Sequence, residues 1–220
     1  MSTWRVLQLA DSAFPTGGFA HSAGLEAAVQ LGEIADAAAL RRFVGEALWQ
    51  AGYGGLPLVR AAHEEPRQTG DLDRLCDSFL TSFVANRASR TQGRAFVATC
   101  ARVFEMDALS ELHDDVRARK TSGHYAPLFG AAFRALDVPL VDAQRLFLHF
   151  ALRGVASAAV RLGRLGPHEA QRLQCDSATL LDRVLAECAP LDVGALAQTA
   201  PLLEIVGAQH DRLYSRLFQS

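Results

Sequence analysis

The sequence predicts an all-α protein folded as a single domain, and three observations support this prediction. Apolar residues recur at helical spacing through most of the 220 residues. No stretch alternates apolar and polar residues over the length of a strand. The chain is also shorter than the roughly 250–300 residues at which a single core usually divides. We therefore expect one domain over residues 1–220, a bundle of roughly eight to ten helices.

The predicted bundle packs around one central helix over residues 141–163. That segment is apolar on most of its circumference, which is typical of a helix packed on several sides. It also contains charged residues, so it does not read as a membrane span. Further helices are predicted from Asp36, as an N-cap, to the glycines Gly52, Gly54 and Gly55, from Asp71 onwards, over 95–106 and 108–120, over 167–189, and from about 200 to 217. Polar breaks are predicted at 64–70, 86–94 and 121–127.

The bulk composition indicates a soluble protein of a reducing compartment. The formal net charge of −2 gives no electrostatic reason to expect nucleic acid or an anionic membrane as a partner. The four cysteines are widely spaced and form no C-x-x-C pair, so neither a zinc site nor a redox motif is indicated. The first residues lack the basic and apolar regions of a signal peptide. We expect a cytoplasmic protein without a bound cofactor.

The stretch from Gln8 to Glu26 departs most clearly from a plain helical pattern. Pro15 disfavours helical backbone at the residue before it, so a helix from Trp4 should end near residues 11–13. Gly17 and the glycine after it permit backbone angles that other residues resist. The simplest interpretation is a tight turn between two packed helices.

Side chains around this Pro-Thr-Gly-Gly corner suggest a further role. Phe14 and Phe19 flank the corner and should pin it either to the core or to a partner. Beyond His21, Ser22 is placed to act as the N-cap of a helix that includes Leu25. The sequence leaves the choice between core and partner open.

The C-terminal end is the second unusual stretch. Chain ends usually fray into polar residues, yet this one keeps Leu213, Tyr214, Leu217 and Phe218 close to its last residue. Either the end docks on its own domain, or it presents an aromatic and arginine surface to another protein, since Tyr and Arg concentrate binding energy in interfaces. The two interpretations are compatible if a partner orders the tail.

Motifs for catalysis are weak in this sequence. The single Lys-Thr pair, at Lys120, is not preceded by a glycine at the spacing of a nucleotide-binding loop, so no P-loop is indicated. His113-Asp114 and His210-Asp211 are His-Asp dipeptides on predicted helices. All-α metal-dependent phosphohydrolases hold divalent metal with such pairs and further His and Asp residues, which leaves an enzyme alternative open.

A nucleic-acid-binding function needs a basic recognition face. The only candidate is the group Arg87, Arg90 and Arg94, which are at near-helical spacing. These arginines form either a basic face for an acidic partner or a solvated helix surface, and the second is more common. No turn signature of a DNA- or RNA-binding motif accompanies them.

Four stretches of the sequence together resemble one family. Residues 7–26 read Leu-Gln-Leu-x-Asp-x-x-x-Pro-x-Gly-Gly-Phe-x-His-Ser-x-Gly-Leu-Glu, and residues 209–220 read Gln-His-Asp-x-Leu-Tyr-Ser-Arg-Leu-Phe-x-Ser. Residues 124–130 read His-Tyr-Ala-Pro-Leu-Phe-Gly, and Gly166-Pro167 is followed by Gln171. These stretches are similar to the signatures of the urease accessory protein F (UreF) family across the whole chain. Departures are small: Ala23 stands where many members carry an aromatic residue or glycine, and Phe19 where some carry tyrosine.

The resemblance implies an all-α, dimeric, cytoplasmic protein that is not an enzyme. Members of the family act with UreD (also called UreH) and the GTPase UreG on the urease apoprotein, UreABC. Together they insert the nickel centre, fuelled by GTP hydrolysis in UreG, with nickel supplied through UreE. In that picture the chain bridges UreD and UreG and helps to gate GTP hydrolysis or nickel passage.

The resemblance also selects candidate partner-binding residues at both ends of the chain. Phe19 and Arg216 are carried over as contacts with the GTPase. Arg216 either acts in trans on GTP hydrolysis, as arginine fingers do, or only holds the complex together, and the second is favoured because interface arginines are far commoner. The full candidate set is Phe14, Pro15, Gly17, Gly18, Phe19, His21, Ser22, Glu26, Tyr214, Ser215, Arg216, Leu217 and Phe218.

Overall fold

A computed structural model describes residues 3–220 and confirms the all-α prediction. The described residues contain no strand and form eleven α-helices, one more than the upper limit predicted. The helices are α1 (Thr3–Ala10), α2 (Leu25–Gln30), α3 (Ala37–Glu64), α4 (Thr69–Phe79), α5 (Phe83–Phe104), α6 (Asp107–Arg117), α7 (Tyr125–Ala135), α8 (Leu140–Arg161), α9 (Pro167–Asp176), α10 (Ala178–Cys188) and α11 (Pro201–Ala208). Short 3₁₀ turns lie at Gly18–Ala20, Pro66–Gln68, Val193–Ala195 and Gln209–Arg212.

The core is centred on α7, which packs against α3, α5 and α8. Nine of the eleven residues of α7 are buried, whereas eleven of the twenty-two residues of α8 are. The apolar helix predicted over 141–163 therefore exists as α8, but α7 is the more enclosed helix. Aromatic rings fill this centre: the Phe129 ring stacks on Phe133 with centroids 4.1 Å apart and on Phe96 with centroids 5.4 Å apart. Such pairs add stabilisation beyond the apolar area that they bury.

The prediction that Gly52, Gly54 and Gly55 end a helix is wrong. Helix α3 continues through them to Glu64, with Pro57 inside it. A Cβ atom on Gly55 would lie 2.4 Å from Phe147 Cε1, and one on Gly52 would lie 2.6 Å from Val184 Cγ1. These glycines therefore serve close approach to α8 and α10, a role that in sequence looks the same as a helix stop.

Four further boundaries differ from the prediction. The loop predicted over 64–70 is reduced to the exposed 3₁₀ turn Pro66–Gln68 between α3 and α4, and residues 86–94 lie within the unbroken helix α5. The helix predicted over 167–189 is divided at Ser177, whose hydroxyl donates to the Leu173 carbonyl at 2.7 Å. The last helix ends at Ala208 rather than near 217 and is followed by a 3₁₀ turn and an irregular tail.

The described helices also bear on the membrane question. None of the helices within residues 3–220 combines the length and the apolar character that crossing a bilayer requires.

Candidate partner-binding surface

The two unusual ends of the sequence lie against each other. The Ser22 amide donates to the Ser220 carbonyl at 2.7 Å, and the Gln219 amide donates to the Ala20 carbonyl at 2.8 Å. His21 Nδ1 lies 2.6 Å from Ser220 Oγ, in hydrogen-bond contact. We call residues 14–26 and 209–220 together the composite surface. The self-docking interpretation of the tail is thus confirmed.

Glu26 anchors the tail from a buried position on α2. Its side chain is almost inaccessible, and Oε1 accepts from the Leu217 amide at 2.6 Å. Oε2 accepts from the Phe218 amide at 3.1 Å, and His210 Nε2 lies 2.9 Å from the same oxygen. A carboxylate that accepts several hydrogen bonds in a buried site is a strong fixed point. The tail is therefore held at three places by one side chain.

Ser22 bonds the tail as well as the first turn of the helix that follows it. The N-cap of α2 is Gly24, with φ +84°, and not Ser22 as predicted. The Ser22 hydroxyl donates to the Ser220 carbonyl at 3.1 Å and accepts from the Glu26 amide at 3.4 Å. The prediction failed because a serine before a helix reads as a cap, whereas this hydroxyl has a partner distant in sequence.

The Gly-Gly corner packs on α5. Gly17 has φ +79°, and a Cβ atom there would lie 2.9 Å from the Ala95 Cβ and 3.2 Å from the Gln92 carbonyl oxygen. The Thr99 hydroxyl donates to the Pro15 carbonyl at 3.1 Å. Only a glycine fits both the left-handed angle and this short separation. Helix α1 ends at Ala10, close to the predicted end.

The two phenylalanines beside this corner have opposite environments. Phe14 is 8% exposed and stacks on Phe104 with centroids 6.0 Å apart, so it pins the corner to the core. Phe19 is 71% exposed, so its ring is available to a partner. The core alternative therefore holds for Phe14 and not for Phe19.

Arg161, at the end of α8, joins the two halves of the composite surface. Its guanidinium carbon lies 4.1 Å from the ring centroid of Phe19 and 4.1 Å from that of Phe218. Its Nη1 donates to the Phe19 carbonyl at 2.5 Å. A guanidinium close to two rings gains cation–π attraction from each of them. Sequence reasoning missed this residue, since one arginine on a long helix carries no distinguishing signal.

A second arginine ties the tail to α5. Arg87 Nη1 and Nη2 donate to the two carboxylate oxygens of Asp211 at 2.9 and 2.7 Å, and this pairing lowers the pKa of Asp211. Arg216 Nη1 lies 3.4 Å from the same carboxylate. Arg90 lies 4.0 Å from Asp77, and Arg94 Nε donates to the Ser122 carbonyl. The arginines of residues 86–94 therefore belong mainly to internal contacts.

The outer part of the composite surface is apolar and exposed. Tyr214 is fully exposed, and Leu217 is 53% exposed. Nearby in sequence, α11 has no buried residue, and its Leu202 and Ile205 face solvent. Exposed large apolar side chains that cluster in this way are typical of interaction sites.

A cavity lies beside α11. The space measures about 370 Å³ and is lined on the α11 side by Leu203, Glu204 and Gly207. Burial raises the pKa of the Glu204 carboxyl.

The candidate residues divide by environment. Phe14, Ser22, Glu26 and Phe218 are buried and build the surface, His21 and both glycines are half-buried, and Pro15, Phe19, Tyr214, Ser215, Arg216 and Leu217 are exposed. The histidines of the two His-Asp dipeptides have different environments. His210 is buried against Glu26, and His113 is half-buried on α6. Within residues 3–220 no three side chains of His, Cys, Asp or Glu gather as they would around a metal ion.

Fold and surface together define a class of protein: an all-α scaffold whose two ends assemble one exposed aromatic and arginine surface suited to protein partners. Comparison with known proteins identifies the family. The UreF family model matches residues 34–178. Urease accessory protein F of Oryza sativa subsp. indica is 37% identical over 99% of this chain and 85% of its own length.

Other relatives agree with this assignment. Urease accessory protein F of Arabidopsis thaliana is 36% identical over 99% of the chain and 92% of its own length. Urease accessory protein UreF of Arthrobacter sp. (strain FB24) is 33% identical over 97% of the chain and 95% of its own length. The chain belongs to the UreF family of urease accessory proteins.

Proposed function

We propose that this chain is a non-catalytic accessory protein of urease maturation that bridges UreD (UreH) and the GTPase UreG. The assembly acts on the urease apoprotein, UreABC, and inserts nickel, which is cargo for this chain and not a resident cofactor. We further propose that the chain works in the cytoplasm as a homodimer. The observation that carries the proposal is the composite surface, in which two distant segments form one exposed site.

The chemistry of the composite surface supports a recruiting role. Fixed hydrogen bonds hold the surface in place before any partner arrives, so little ordering entropy is lost on binding. Phe19 and Tyr214 then offer aromatic contact area, and Arg216 offers a charged group. We assign the contact with UreG to Phe19 and Arg216, in line with the family resemblance.

Arg216 is proposed to hold the complex together rather than to act on the nucleotide. Its guanidinium lies 3.4 Å from Asp211, which is itself paired with Arg87. An arginine that already has an acidic neighbour can extend a network of ion pairs across an interface. If Arg216→Ala left the complex intact but abolished stimulated GTP hydrolysis, the assignment would be reversed.

Co-purification tests the bridging role. The tagged chain is co-expressed with UreD and UreG, and the wild type is compared with a truncation before Leu213. We expect both partners to elute with the wild type and at least one to be lost with the truncation. Release of neither partner would contradict the proposal.

The phosphohydrolase alternative has its own readout in the same preparation. Purified protein that carries divalent metal, cleaves a phosphate ester and retains neither partner would favour the His-Asp dipeptides of His113 and His210 instead. Substitution His113→Gln distinguishes the two functions, because it lies outside the composite surface and should leave co-purification unchanged.

A further inference from the structure

A basic cleft lies between α4, α5, α6 and the segment that follows α6. It measures about 790 Å³, and five basic residues line it: Arg74, Arg94, Arg117, Arg119 and Lys120. The lining contains one carboxylate, Asp73. Such a concentration of one sign stands out on a chain whose formal net charge is −2.

The single acidic residue of the cleft lining, Asp73, already accepts hydrogen bonds from the protein backbone. Asp73 is buried, and its carboxylate accepts from the amides of Ser122 at 2.5 Å, Gly123 at 3.0 Å and His124 at 2.7 Å. These bonds fix the segment before α7. Because its oxygens accept from backbone amides, the Asp73 carboxylate stabilises the wall of the cleft.

Three of the five basic side chains keep their charge available. Arg74 pairs with Asp71, and Lys120 Nζ lies 2.7 Å from Asp115. Arg94 donates only to the Ser122 carbonyl, which leaves its charge without a carboxylate. Among the described residues, neither Arg117 nor Arg119 forms an ion pair, and both are exposed.

We infer that this cleft binds an acidic peptide segment of a partner protein. Carboxylates of the segment meet the guanidinium groups of Arg94, Arg117 and Arg119, since a guanidinium matches a carboxylate in bidentate geometry. Apolar side chains of the segment rest on Ala98 and Val116, which form part of the cleft lining.

The arrangement favours an extended acidic peptide over other anions. The three guanidinium groups come from α5, from the end of α6 and from the following segment, and the cleft of about 790 Å³ is much larger than one small anion. Single-stranded nucleic acid usually needs aromatic side chains on which its bases stack. No Phe, Tyr or Trp lines this cleft.

The cleft adjoins the composite surface on α5. Ala95 lines the cleft, and its Cβ would lie only 2.9 Å from a Cβ on Gly17. One turn further along, Thr99 donates to the Pro15 carbonyl. A partner seated on the Gly-Gly corner therefore has the basic cleft within reach. The inference itself concerns peptide binding by this chain alone and holds whichever protein supplies the peptide.

Fluorescence anisotropy tests the inference with the full chain. The probe is a fluorescein-labelled peptide of alternating Glu and Leu, measured at low and at high salt, beside a Gln-Leu peptide of equal length. We expect the Glu-Leu peptide to bind in a salt-sensitive manner and the Gln-Leu peptide to bind at least about fivefold more weakly. An absence of binding by the Glu-Leu peptide overturns the inference.

Matched variants locate the binding. The double variant Arg117→Ser/Arg119→Ser should weaken Glu-Leu peptide binding about fivefold or more. The control Arg41→Ser/Arg42→Ser removes the same charge from exposed residues of α3 and should change binding less than about twofold. Equal losses in both variants overturn the assignment to the cleft. Tighter binding of a single-stranded oligonucleotide, or competition by millimolar inorganic phosphate alone, overturns the choice of ligand.

Discussion

The carboxylate of Glu26 lies 2.9 Å from the imidazole of His210, 184 residues further along the chain. Both side chains are buried, and the same carboxylate accepts from two amides of the tail. This contact links the first signature of the sequence to the last. The proposed recruiting surface depends on that link, because the tail has no regular secondary structure of its own beyond Arg212.

Replacement of the anchor should release the tail. Glu26→Gln keeps the shape but substitutes an amide group for one acceptor oxygen, which leaves at least one buried donor unpaired. We expect a loss of about 1–3 kcal/mol in the free energy of unfolding. Amides of Leu217 and Phe218 should exchange faster with deuterium. Glu33→Gln, on an exposed residue, is the control and should leave both quantities unchanged.

The stability of the composite surface should depend on pH through His21. Burial, then the positive charge of Arg87, then that of His210, lower the pKa of His21 below 6.5. A lowered pKa means that the unfolded state takes up the proton first as the pH falls. The stabilising contribution is therefore complete above pH 6.5 and declines as the pH falls below that value.

Denaturation between about pH 5 and 8 measures this dependence. His149 also has a lowered pKa, so the wild-type slope contains more than one contribution. The difference between wild type and His21→Asn isolates the part that belongs to His21. We expect the variant to lose part of the slope of stability with pH, and identical slopes would show that His21 does not contribute.

Alanine substitutions at two glycines with positive φ distinguish the cost of backbone strain from the cost of a steric clash. Gly17 and Gly163 both have positive φ, but an added Cβ meets Ala95 at 2.9 Å in the first and open space in the second. Gly163→Ala should therefore lower the free energy of unfolding only by the cost of left-handed backbone for alanine, roughly 1–2 kcal/mol. Gly17→Ala should lower the free energy of unfolding by more and should weaken partner binding as well. Equal thermal stability of the two variants would rule out tight packing at the corner.

The contact of the Arg161 guanidinium with two aromatic rings can be tested by a substitution that changes the shape of the side chain and keeps its charge. Arg161→Lys keeps the positive charge but loses the planar group that faces Phe19 and Phe218. We expect tail docking to weaken by roughly 1 kcal/mol, seen as faster proteolysis of the tail. Arg164→Lys, on an exposed neighbour, should cleave at the wild-type rate. Matching rates for both variants would argue against the stacked arrangement.

Helical periodicity was sufficient to predict the fold class. It failed at Gly52 and Gly55 because a glycine that allows two helices to approach resembles a glycine that ends one. It also placed a break at residues 86–94, since a polar face of α5 resembles a loop when read along the chain. Local patterns describe neighbours in sequence, and these errors concern neighbours in space.

The composite surface shows the same limit more clearly. Both ends were identified as unusual from their residues, but nothing in either stretch indicates that Ser22 pairs with Ser220 or that Glu26 accepts from Leu217. Arg161 was missed because its two aromatic partners come from opposite ends of the chain. Such contacts require the fold.

A pull-down with point variants tests whether the composite surface recruits UreD and UreG. The tagged chain, as wild type, as Phe19→Ala/Tyr214→Ala or as Val103→Ala, is mixed with UreD and UreG, and retained partners are quantified. Phe19 and Tyr214 are exposed on the composite surface, and Val103 is 46% exposed on α5. We expect the double variant to lose at least one partner and the control to retain both. Full retention of both partners by the double variant, with its fold intact, would contradict this expectation.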